Sequence, residues 1–307
     1  MKLSVFTSIV LLLSTFLQAG CNSMGSIHVA ALEGNLAEVR DLSRKGGSIN
    51  EKNSAAGVYE GFTPLHMAIN NGHKDVALYL IKGGANVNEK GKLGRTPLHL
   101  AAYNGMPQVA KLLISRGAYV NASNEEGATP LHSAAFGIVN SGDLLKILLA
   151  KGANVDSGTG TKIGTPLIHA TKYGNLEAVK VLLNNGADIN ARDESGNSAL
   201  HFASLYGRID VATYLLMKNP DVNQVNQENN SPLHVAAING RRMVAEQLVY
   251  HGANLIGKNG AMETPLDCAK QNNRDTVVAL LEPFTETDTA SDEVEQEQNN
   301  EPSILAD

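Results

Sequence analysis

Seven copies of one short motif recur through the chain at an almost constant interval, and that interval limits the fold more than any other feature. The copies begin at Thr63-Pro64-Leu65-His66, Thr96-Pro97-Leu98-His99, Thr129-Pro130-Leu131-His132, Thr165-Pro166-Leu167, Ser198-Ala199-Leu200-His201, Ser231-Pro232-Leu233-His234 and Thr264-Pro265-Leu266. Successive starts lie 33, 33, 36, 33, 33 and 33 residues apart. A fixed period of this size marks a stacked repeat array, in which each unit contacts only its neighbours. At 307 residues and 43 % hydrophobic content the chain can bury a sizeable core. An array reaches this length by addition and need not split into globular domains.

Counted from the Thr or Ser, position +2 is Leu and position +5 is Ala in all seven copies. A large and a small apolar residue at i and i+3 share one helix face, and the small one lets a neighbouring helix approach. Thr is a favoured N-cap, and Pro fits the first turn, where its missing N–H is not needed. Gly72, Gly105, Gly174, Gly207 and Gly240 close this helix at +9. A second helix follows, with Val at +13 (Val76, Val109, Val211, Val244, Val277) and Leu at +17 (Leu80, Leu113, Leu182, Leu215, Leu248, Leu281) as its buried stripe. A glycine and a short extended stretch such as Gly84-Ala85-Asn86-Val87-Asn88 end the unit. No unit can bury its apolar stripe alone, so stacking must do it.

Thr-Pro-Leu-His, the recurrent Ala, Gly72-His73 and Gly84-Ala85-Asn86-Val87-Asn88 resemble the ankyrin repeat, over residues 26–282. The resemblance implies an all-α solenoid of stacked helix-turn-helix ankyrin repeats joined by short β-hairpin loops. Eight repeats are expected: an N-terminal cap at 26–58, in which Ile27, His28 and Ala30 take the first-helix positions, then 61–93, 94–126, 127–162, 163–195, 196–228, 229–261 and a C-terminal cap at 262–282. Extra residues fall around 55–59, between the helices of the third full copy at 137–142, and in the loop 158–162; insertions in arrays map to loops, often on the binding face.

The ends differ from the array. Lys2 precedes fifteen uncharged, mostly apolar residues, Leu3 to Leu17, with Ala19 and Gly20 after them, which reads as a secretory signal over residues 1–20. The run is short of the roughly 20 residues a membrane-spanning helix needs. Leu17-Gln18-Ala19-Gly20-Cys21 resembles the bacterial lipobox, with Gln18 standing where an aliphatic residue is expected. Lipidation would make Cys21 the mature N-terminus, whereas cleavage after Ala19 would leave Gly20 first and Cys21 a free thiol. At the other end, 283–307 is an acidic tail expected to be disordered. Of the 31 acidic residues eight lie between Glu286 and Asp307, where no Lys or Arg occurs, leaving 23 acidic against 25 basic residues elsewhere. This near-neutral balance shows no basic stripe of the kind a nucleic-acid binder needs.

Residues able to carry chemistry are arranged as structure. Six of the nine histidines (His28, His66, His99, His132, His201, His234) occupy position +3 in successive copies, so they are strung along the stack rather than gathered around a metal. The ankyrin resemblance implies that this His is a structural hydrogen-bonding residue; His169 sits one place late, at +4, which puts that bond in doubt for its copy. Gly158, Gly160 and Gly164 lack the spacing and the strand-to-helix setting of a phosphate cradle. Cys21 and Cys268 are the only cysteines, and Cys268 takes a packing position in the last copy. No catalytic residue, metal or cofactor is expected.

Arrays of this family bind through the end of the first helix and the loop tips on a concave face. At positions +7 and +8 the middle copies carry Tyr103, Phe136, Tyr173 and Tyr206, and the loop residues Tyr59, Phe62, Leu93 and Arg95 extend the row. Aromatic residues and Arg dominate binding hot spots, which makes these eight the expected partner-binding residues. The expected function is non-catalytic binding of another protein by an exported monomer, with membrane contact only through a lipid anchor at Cys21. One role is inhibitor or chaperone of an enzyme of the bacterial envelope, in the periplasm or at the membrane. The alternative is a secreted effector that binds a host protein; an enzyme using the array as scaffold is a third reading that no residue supports.

Overall fold

The Thr/Ser-Pro-Leu pattern and the Val/Leu stripe form helix pairs in every copy. The computed structural model describes residues 26–54, 57–137 and 141–284. Cys21, the leader before it and the acidic residues from 286 onward lie outside the described residues. Two compact units divide between Ser157 and Gly158.

In the first unit, the helices Ser26–Glu33, Pro64–Asn70, Pro97–Tyr103 and Pro130–Phe136 form one layer, each packed on the next. Leu36–Arg44, Lys74–Lys82, Pro107–Ser115 and Ser141–Ala150 form a second layer against it. The second unit repeats the plan, with Pro166–Tyr173, Ala199–Tyr206, Pro232–Ile238 and Pro265–Gln271 in one layer. Leu176–Asn184, Ile209–Leu216 and Arg242–Tyr250 form the other, and 275–284 is helical too. Each unit is thus an all-α stack of repeats. The +5 Ala is completely buried in all seven copies. A larger side chain there would overpack the helix contact at a cost of about 1–3 kcal/mol.

The first helices share one N-terminal device. Thr63, Thr96, Thr129, Ser198 and Ser231 are N-caps in extended conformation, and the His three residues on completes a capping box with each. At Thr63 the backbone N–H donates to His66 Nδ1 at 3.2 Å, so Nδ1 is an acceptor and the proton sits on Nε2. That Nε2–H reaches the next copy's loop: His66 donates to the Arg95 carbonyl, His99 to Ala128, His201 to Asn230 and His234 to Glu263, at 2.9–3.2 Å. The fourth full copy lacks the box, as the late His169 leads one to expect: Thr165 accepts only from the Ile168 N–H. In the last copy Asp267 substitutes for His and closes the box with Thr264.

The expected β-hairpin loops form with a single rung and then turn at once into a helix cap. Gly91 N–H donates to Arg95, Asn124 to Ala128, Asp193 to Asn197, Asn226 to Asn230 and Asn259 to Glu263. Among the described residues the pairing amounts to one isolated bridge, Arg192–Ser198. Within each unit an asparagine ladder ties copy to copy. Asn88 donates to the Gly117 carbonyl and accepts from Tyr119 N–H, and Asn121 does the same with Gly152 and Asn154. Asn223 repeats it with Gly252 and Asn254.

Burial pushes His66, His99 and His201 down to about 4 from the usual 6.5. The unfolded chain therefore protonates these imidazoles below about pH 6.5 while the folded chain stays neutral to about pH 4. Stability falls as pH falls through that window, by up to about 1.4 kcal/mol per pH unit for each histidine. Thermal melts between pH 7.5 and 4 should show a steep, progressive fall in Tm below 6.5; a flat Tm over that range contradicts the neutral-histidine network.

Candidate functional site

The C-terminal ends of the first helices carry the exposed Tyr103, Tyr173 and Tyr206 and the half-buried Phe136, while Tyr119, Tyr250 and Phe284 are exposed elsewhere. In the first unit Tyr103 and Phe136 end neighbouring helices, and their rings stack with centroids 5.2 Å apart and planes 19° from parallel. Tyr103 is 48 % exposed. Gly137 makes this approach possible, because a Cβ there would stand 3.0 Å from the Tyr103 carbonyl oxygen. The stacked pair offers a flat aromatic surface of the kind that anchors protein partners.

In the second unit Tyr173 is 51 % and Tyr206 44 % exposed. The Tyr206 ring stacks at 6.3 Å on Phe202, which is buried to 8 % exposure, and the Lys172 ammonium lies 4.1 Å over the Phe202 ring. The Arg208 guanidinium carbon lies 5.9 Å from the Tyr206 ring centre. Burial holds the Lys172 amine below its ordinary value, which is the environment in which a cation gains most from an aromatic face. Phe202 also lines a groove of about 230 Å³ with Asn197, Leu205, Val235, Ile238 and Asn239. An apolar groove beside a cation suits a partner side chain that combines a hydrophobic body with negative charge nearby.

The loop residues of the expected row do not behave alike. Leu93 is exposed at φ +60° in the short turn Lys92–Gly94, and its carbonyl accepts from Glu125 N–H of the next loop. Arg95 is exposed, while its carbonyl is the acceptor for His66. Tyr59 is half-buried, with its ring 5.9 Å from Phe62. Phe62 itself is only 6 % exposed and stacks on the His66 ring at 5.2 Å. It supports the loop from within instead of forming its surface, because covering the imidazole removes apolar area from water. The asparagines at +8 are likewise structural: Asn71, Asn239 and Asn272 donate to the carbonyl four residues back, and Asn104 to Ile69 of the preceding copy.

Phe202, Lys172 and Arg208 fall outside the expected set. The signal for Arg208 is an arginine at position +10, which recurs at Arg241 and Arg274. Cys268 is buried and its thiol is pushed up to about 12, so it stays protonated at neutral pH. Among the described residues no three His, Cys, Asp or Glu side chains cluster as metal ligands, and no helix is long and apolar enough to cross a membrane.

The family profile described as ankyrin repeats (3 copies) matches residues 27–124, 93–159, 131–226 and 217–291. The chain belongs to the ankyrin repeat family. The human ASB11 ankyrin repeat domain is similar to it at 32 % identity and a TM-score of 0.62, over 67 % of this chain and 91 % of that one. The ankyrin repeat domain of Bcl-3 is similar at 30 % identity and a TM-score of 0.58, over 74 % and 98 %. An ankyrin repeat protein of Rickettsia prowazekii (strain Madrid E) is 55 % identical over 40 residues, 13 % of this chain and 37 % of that protein. The matched stretch spans less than half the length of the curated relatives. Ankyrin repeats are a protein–protein interaction module, typically non-catalytic, and the exposed aromatic clusters of this ankyrin array fit that use.

The two kinds of aromatic residue should separate on mutation. Tyr103→Ala removes a half-exposed ring and one stacking contact, a loss of about 1 kcal/mol, whereas Phe202→Ala empties a buried site at about 3 kcal/mol or more. Urea denaturation of the two variants checks this; equal losses would show that Tyr103 is a packing residue and not a free surface.

Proposed function

We propose that this ankyrin protein is exported to a bacterial cell envelope and there binds another protein through the aromatic ends of its first helices, as inhibitor or chaperone of an envelope enzyme. The observation that carries the binding role is the Tyr103–Phe136 pair, a half-exposed tyrosine ring stacked on a half-buried phenylalanine at the surface of the first unit. The second unit adds Tyr173 and Tyr206 with Lys172 beside them, and Leu93 and Arg95 extend the surface of the first. Export rests on the leader pattern of residues 1–20, and anchoring on Cys21. With only Asn22 to Gly25 between a lipidated Cys21 and the first helix, the array would be held close to the membrane surface. The partner is a protein, because exposed aromatic residues are enriched where protein surfaces meet.

A pull-down from solubilised native envelope tests this, comparing the wild-type chain with the variant in which Tyr103, Phe136, Tyr173 and Tyr206 are all Ala. One dominant protein is expected with the wild type, reduced at least about a hundredfold with a variant that keeps its helical circular dichroism, as loss of several hot-spot residues predicts. Equal capture by both would place recognition elsewhere, and capture only from host-cell extract would favour a secreted effector.

A further inference from the structure

We propose that the second unit carries an internal docking ridge for the chain's own acidic segment, residues 286–301. The ridge is built by the arginine at position +10, just before the second helix, in three successive copies: Arg208, Arg241 and Arg274. Arg208 donates from Nε and Nη2 to the Lys172 carbonyl, Arg241 from Nε to Leu205, and Arg274 from Nε to Ile238, at 2.9–3.1 Å. Each guanidinium is therefore pinned to the end of the preceding copy's first helix, and the three form a row with one positive charge per repeat. Glycine is required beneath them: a Cβ at Gly174, Gly207 or Gly240 would approach the Cδ of Arg208, Arg241 or Arg274 to 3.0–3.2 Å.

The row is unneutralised. No described carboxylate lies within ion-pair distance of Lys172, Arg208, Arg241 or Arg274; the ion pairs formed nearest in sequence are those of Lys270 with Glu282. Asp210 and Asp275, next along the chain, leave them unpaired. Since Arg241 and Arg274 each spend only Nε on the carbonyl, their Nη donors are available as a fork for carboxylate. The first unit has no such row, carrying His73 and Met106 at the equivalent position.

The complementary charge is in the same chain. Glu286, Asp288, Asp292, Glu293, Glu295, Glu297 and Glu301 follow the last helix with no Lys or Arg among them. Seventeen residues from 284 to 301 reach up to about 55 Å when extended. The path back along the ten-residue last helix is about 15 Å, and two further copies to Arg208 add about 20 Å at normal helix spacing. The segment is long enough to lie along the whole row, with a carboxylate for each guanidinium. Being covalently attached, it occupies the ridge at high effective concentration and competes with any acidic partner that approaches there.

The test is zero-length carbodiimide coupling of the full chain carrying Arg241→Lys, which keeps the charge and adds a reactive amine, read by peptide mass spectrometry. A within-chain link from position 241 to a carboxylate among 286–301 is expected. Its yield should fall about tenfold when Arg208 and Arg274 are also changed to Gln, as loss of two exposed charge pairs implies. It should fall similarly in roughly 0.5 M salt, where screening shortens to a few ångströms. Because the Gln changes also remove stacking bonds, circular dichroism must show the helices intact, and the salt series on the unaltered row serves where it does not. Links from the tail to Lys74 or Lys111 of the first unit at equal yield, or links formed only between two chains, overturn the proposal.

Discussion

The hydrogen bond from a buried, neutral histidine to the loop carbonyl of the next repeat is the contact on which the rest of the array depends. Through Nδ1 the imidazole completes the N-cap of its own helix, and through Nε2 it fixes the neighbour's loop, as His99 does between Thr96 and Ala128. One side chain thus joins local helix initiation to stacking. Its burial holds it neutral, so both nitrogens keep the roles the network needs; a second proton would set an N–H against the N-cap N–H. Stacking then buries the +2 Leu and +5 Ala that no repeat could bury alone.

With stability assigned to the histidine boxes, the asparagine ladder and the apolar stripes, the C-terminal ends of the first helices are left free to vary. That is where Tyr103, Phe136, Tyr173 and Tyr206 sit, and where Lys172 and Arg208 add charge to aromatic surface in the second unit. Such a division lets an ankyrin scaffold vary its exposed residues while the histidine boxes, asparagine ladder and apolar stripes stay the same. The arginine row shows both uses at one position, since Nε holds the stack while the remaining donors face outward.

Much of the fold was legible because its signals are short-range and repeated. A cap, a first-turn proline and an apolar residue at i and i+3 declare a helix within a few positions, and seven copies leave no doubt about the period. Contacts between residues 29 to 41 apart were not legible in the same way, among them the arginine-to-carbonyl bonds and the asparagine ladder, because nothing local distinguishes them from solvated side chains. Phe62 illustrates the limit at the site. An aromatic residue beside a loop reads as exposed, yet it turns inward because the His66 ring offers it an apolar face. Phe202 is the converse, a buried packing residue whose cover by the Lys172 ammonium no local pattern announces.

The measurement that tests this account most directly is urea denaturation of His99→Ala and His201→Ala, one from each unit, against the wild-type chain. If the histidine box couples the repeats, each change leaves a cap and a carbonyl without their buried partner and opens a cavity, and stability falls by about 2–4 kcal/mol. A loss below about 0.5 kcal/mol, the size of an ordinary surface substitution, would contradict it and leave apolar stacking alone to hold the array.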